Sequence, residues 1–204
     1  MIRSKSSAVD ASRIRAARAA RRWLSRKIPR RLRGSALQRL GILLCERLLT
    51  SCGPPFAKRK LPLIPQPASI VEMQRGDLLA LCRKIGIASP RSVCFDPGIR
   101  SSLRAYLGGL ALSYAAKGDA LLAAAISRAA THLGLKHGWL NHAEKYLLDQ
   151  QGPDGGFGLV APEVGILADE SDPHELRLIL TVEILWTLVA RASLYRTKKQ
   201  LLVR

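Results

Sequence analysis

Apolar positions recur at helical spacing along most of the chain, and no stretch alternates convincingly with the period of a strand. From Ala8 to Lys27, Ile14, Ala17, Trp23 and Leu24 share one face while Arg13, Arg15, Arg18, Arg22 and Arg26 fill much of the rest. This predicts an amphipathic helix, which Pro29 stops. Leu37, Leu40, Leu44 and Leu48 predict a second helix over 35–51. Pro54, Pro55, Pro62, Pro65 and Pro67 then exclude both helix continuation and sheet pairing, so 52–68 reads as a linker. Beyond it the pattern predicts helices over 70–86, 100–116, 120–133 and 139–151. The 120–133 stretch is almost all Ala and Leu, as in a helix buried on much of its circumference. Lys117-Gly118-Asp119 is a compact break in which Asp119 is placed to cap the next helix. A last helix starts at Asp172 as N-cap with Pro173 in first position, and runs to about Tyr195.

The expected fold class is therefore all-α: helical hairpins preceded by a basic amphipathic arm. The expected division is an arm over 1–51, a linker over 52–68 and a helical body over 69–204. Arg177, Glu183 and Arg191 interrupt the last helix, so it reads as a core helix and not a membrane span.

Charge adds a polarity to this plan. The net charge of +18 is concentrated in residues 1–60, which hold 17 of the 33 Lys and Arg but only two acids, Asp10 and Glu46. The arginines of the arm, Arg13, Arg15, Arg18, Arg22, Arg26, Arg30, Arg31 and Arg33, are the candidate anion-binding residues. Three partners fit them: a protein partner or a second copy of the chain, an anionic membrane surface with Trp23 on the inserting side, or nucleic-acid phosphates. Nucleic acid ranks last because no zinc-finger, RNP or homeodomain-like pattern accompanies the charge. The arm is Arg-rich and acid-poor, as transit peptides are, but it lacks the uninterrupted apolar run of a secretory signal. The expected location is cytoplasmic, peripheral to a membrane if the arm binds one. Cys45, Cys52, Cys82 and Cys94 contain no Cys-x-x-Cys spacing and read as reduced thiols.

The most specific stretch is Tyr146 to Gly158, YLLDQQGPDGGFG. A helix end carrying Tyr146, Leu147 and Gln150 (or Gln151) runs into Asp154-Gly155-Gly156-Phe157-Gly158. This stretch resembles the repeat signature of the squalene cyclase and protein prenyltransferase superfamily, in which the motif joins an inner and an outer helix of an α/α toroid. The resemblance implies a partial toroid, of the kind a truncated bacterial relative would form. It also implies structural roles: the glycines make a sharp turn, Gln150 bonds turn backbone, and Phe157 packs on a neighbouring hairpin. Catalysis does not carry over. The DxDD and DDxxD motifs and the Asp, Cys, His zinc set of that superfamily are missing, so no cofactor and no metal is expected.

Two weaker constellations remain. Asp169, Glu170, Asp172, His174 and Glu175 form the densest group of oxygen and nitrogen ligands, and Asp169, Asp172 and His174 are the catalytic candidates if the chain is an enzyme of terpenoid or peptide-tailoring metabolism. Their plainer role is to complement a helix N-terminus. His132, His137 and His142 lie five apart with glycines between them, which does not align them on one helix. The reading favoured by the sequence is a non-catalytic accessory or scaffold protein with a toroid-like body and a basic binding arm.

Overall fold

A computed structural model describes residues 3–28, 30–50, 64–87, 97–135, 138–158 and 172–201. Among these the chain is all-α. The elements are α1 (Arg3–Arg26), α2 (Ala36–Thr50), α3 (Pro67–Val71), α4 (Arg75–Gly86), α5 (Pro97–Ala116), α6 (Ala120–His132), α7 (Gly138–Asp149) and α8 (Pro173–Leu201), with a short 3₁₀ turn at Arg30–Leu32. No described helix is long and apolar enough to cross a membrane. The helix expected over 70–86 is two, α3 and α4, parted at Glu72–Gln74, and α3 begins inside the stretch expected to be linker.

The chain divides into two compact units, and the division is not sequential. One unit contains 1–54 together with 147–204; the other contains 55–146. In this division the N-terminal helices, expected to form an arm, share a unit with the C-terminal one. The boundary at Pro54–Pro55 does fall within the proline-rich stretch.

In the first unit α1 packs on α2, and both pack on α8. Small residues permit the approach. A side chain at Gly41 of α2 would meet Leu24 of α1 at 2.8 Å and Val182 of α8 at 3.3 Å, so three helices converge there. Leu44 and Leu48 of α2 and Leu185, Leu188 and Val189 of α8 are buried. The last carbonyls of α1 would be left without donor partners at the helix end. The segment that follows supplies donors: Arg33 Nη2 bonds to Arg26 O at 3.3 Å and, from α2, Gln38 Nε2 bonds to Leu24 O. Ser35 then starts α2, its hydroxyl accepting the Gln38 amide at 3.1 Å.

In the second unit α6 packs between α4 and α5. Leu122, Ala125, Ile126 and Ala129 meet Leu78, Cys82 and Ile85 of α4 and Leu103, Leu107 and Ala111 of α5 in one apolar cluster. The expected cap is present: Asp119 accepts the Leu122 amide at 3.1 Å, and its carboxylate also binds Arg75 at 2.6 Å. Every residue of α6 is buried, including Arg128 and His132. Burial, and after it the charge of Arg128, pushes the His132 imidazole down to about 4. Cys45 and Cys82 are buried thiols outside any disulfide, and burial pushes the Cys45 thiol up to about 12.

Candidate functional site

The stretch that stands out in the sequence forms a closed glycine turn after α7. Gln151 and Phe157 pair across it as an isolated antiparallel bridge. The Gly152 amide donates to Gly156 O at 2.8 Å, the Gly155 amide to Gly152 O at 2.8 Å and the Gly158 amide to Gln150 O at 3.1 Å. Asp154 Oδ1 accepts the Gly156 amide at 3.3 Å, so the acid helps close its own turn.

Its partner is the N-terminal helix, a contact that sequence reasoning missed. Gln151 Nε2 donates at 2.9 Å to Ala16 O of α1 and at 2.9 Å to Gly155 O of the turn. The turn-bonding role expected of Gln150 (or Gln151) is thus carried by Gln151. Gly155 has φ of +97° and lies against the Ala19 carbonyl, where a Cβ would overlap backbone. A Cβ on Gly156 would come within 2.7 Å of the Trp23 ring. The signal that was present is the Ala16, Ala17, Ala19, Ala20 run beside Trp23, a helix face small enough to take a turn backbone.

Electrostatics completes the joint. Arg177 of α8 binds Asp154 through Nη1 at 2.9 Å and Nη2 at 2.6 Å. The same guanidinium lies over the Trp23 ring, 5.3 Å from its centroid. Partial burial pushes the Asp154 carboxyl up, but hydrogen bonds from Arg177, Gly156 and Trp23 and the charge of Arg177 outweigh it and hold the carboxyl below its usual range. Phe157 is fully buried and its amide donates to Thr181 Oγ1 at 3.0 Å. Tyr146 is half-buried and lies in the other unit, near Asp119, so it is no part of this turn.

Docking on the turn sorts the arginines of α1. Ala17, Ala20, Trp23, Leu24 and Ile28 are buried, and so is Arg13, which is 3% exposed and is not available to an outside anion as expected. Arg15, Arg18, Arg22 and Arg26 are exposed and follow one another at intervals of three, four and four residues. That spacing aligns them along the outward side of α1 over roughly 16 Å. Arg21 is tied to Glu46 of α2 at 3.3 Å. Arg30 is exposed, Arg33 is engaged in capping α1, and the Arg31 side chain lies outside the described residues.

The acidic constellation is a helix start where it is described. Asp172 Oδ1 accepts the His174 amide at 3.0 Å, and the Asp172 carbonyl accepts the amides of Glu175 and Leu176. Asp169, Glu170 and His137 lie outside the described residues. Among the described residues no three His, Cys, Asp or Glu side chains gather as a metal site. Compared with protein-family models, curated proteins and solved structures, the chain matches none.

Proposed function

We propose that this is a non-catalytic binding protein whose outward arginine face on α1 docks on an anionic partner. The observation that carries the reading is the two-sidedness of α1. Its apolar side is committed to the fold, while Arg15, Arg18, Arg22 and Arg26 stand exposed on the other. Holding the helix in place orders the stripe before binding, which lowers the entropic cost of engaging several charges at once. The same packing removes the feature that favoured membrane insertion, since Trp23 is 3% exposed beneath Gly156 and Arg177.

The glycine turn between α7 and α8 supports reading that junction as a toroid-type helical hairpin. Asp172 and His174 are read as the start of α8 and not as catalytic groups. Retention on a heparin column tests the proposal. A variant with Arg15, Arg18, Arg22 and Arg26 changed to Ser is expected to elute at clearly lower salt with unchanged helicity. Equal retention of the two proteins would contradict it.

A further inference from the structure

We infer that the anionic partner of α1 is double-stranded DNA, bound through its phosphate backbone along the major groove. The inference rests on the function proposed above and names its ligand. Arginine is the side chain whose planar fork matches phosphate oxygens, and the four exposed cations of the stripe are all arginine. None of the four is engaged by an acid among the described residues; the acid nearest in role, Glu46, is taken by Arg21. Ala11 and Ser25 beside the stripe are small and exposed, so the helix surface there can approach closely.

Three competing anions fit less well. Insertion into an anionic bilayer needs apolar side chains beside the cations, and Ala17, Ala20, Trp23, Leu24 and Ile28 are all buried. Single-stranded nucleic acid is held by exposed aromatic rings as well as charge, and the one large apolar side chain exposed among the described residues of this unit is Leu43. Double-stranded RNA offers a major groove too narrow for a helix. The major groove of B-DNA, about 12 Å wide, admits a helix of about 10–12 Å diameter. A straight stripe of roughly 16 Å covers about five phosphate steps of one strand. Contacts of this kind carry no base readout, so binding is expected to be indifferent to sequence.

The test is fluorescence anisotropy of the full chain with a short labelled DNA duplex of random sequence, titrated between about 50 and 200 mM salt. Four phosphate contacts predict a log–log salt slope of about −3.6. Arg18→Ala with Arg22→Ala is expected to halve that slope and to weaken binding roughly 30-fold at physiological salt. Arg18→Lys with Arg22→Lys is expected to keep the slope, which separates charge loss from misfolding. Single-stranded DNA, duplex RNA and phosphatidylserine vesicles serve as the other arms. Duplex binding that the alanine pair leaves unchanged would overturn the inference. Binding of vesicles, duplex RNA or single strands in preference to duplex DNA, lost in the alanine pair, would overturn the DNA assignment and leave the anionic-partner reading standing. Failure to bind any of these polyanions would overturn both.

Discussion

Arg177 grips Asp154 with two nitrogens, at 2.9 and 2.6 Å, from one turn of α8 to the tip of the glycine turn. Because the guanidinium also covers Trp23, the pair ties the turn, α8 and α1 into one joint. The pair is only partly exposed, 16% for the Arg177 side chain and 28% for Asp154, so it is screened less than a surface ion pair. Arg177→Ala is expected to cost about 1–3 kcal/mol, read by urea denaturation, since it strands the acid and uncovers the indole.

The joint carries a pH dependence of definite sign. The folded Asp154 carboxyl sits below its usual range, while in the unfolded chain it titrates near its ordinary value of about 3.9. Its contribution is therefore complete above that value and is lost as pH falls through the lower, folded one. Asp154→Asn should remove this part of the acid sensitivity. Superimposable stability–pH curves for the two proteins below about pH 4 would count against the pair.

Gly155 and Gly156 should be intolerant for different reasons. Gly155→Ala meets both a left-handed φ and the Ala19 carbonyl, and is expected to cost about 2–4 kcal/mol. Gly156→Ala meets only the Trp23 ring, so its cost should shrink in a Trp23→Ala background. A coupling of about 1 kcal/mol or more in that double-mutant cycle is the expected outcome; simple additivity would show that the two do not touch.

Much of the helical plan was legible because it is local. The spacing of Leu103 and Leu107, the Ala-Leu run of α6, the Asp119 cap and the Asp172-Pro173 start each depend on near neighbours in sequence. The candidate site was half legible. The glycine turn announced itself, but its partner lies some 135 positions upstream, as the Gln151 to Ala16 bond shows. Nothing in the local pattern of α1 says that Arg13 faces inward or that Trp23 is covered by a turn. Whether Gln150 or Gln151 bonds the turn is open in the sequence for the same reason, since the Gln151 bond reaches across to α1.

The second unit supplies an independent acid sensitivity. Neither ring nitrogen of His132 has a hydrogen-bond partner among the described residues, and its imidazole is held down to about 4. As pH falls below about 6.5 the unfolded chain takes up the proton first, so stability is full above that value and declines toward pH 4. The loss is on the order of 3 kcal/mol. His132→Leu should flatten it in urea melts at pH 7 and 4.5, and an unchanged slope would show that His132 is accessible to protons when folded.

As a built-in helix with one exposed face, α1 should resist exchange, and amide hydrogen exchange of residues 13–26 measures that directly. Protection matching that of α2 and the first half of α8, together with its selective loss in Gly155→Ala, is the expected result. Exchange at the rate of an unstructured arm, with α2 and α8 still protected, would contradict it.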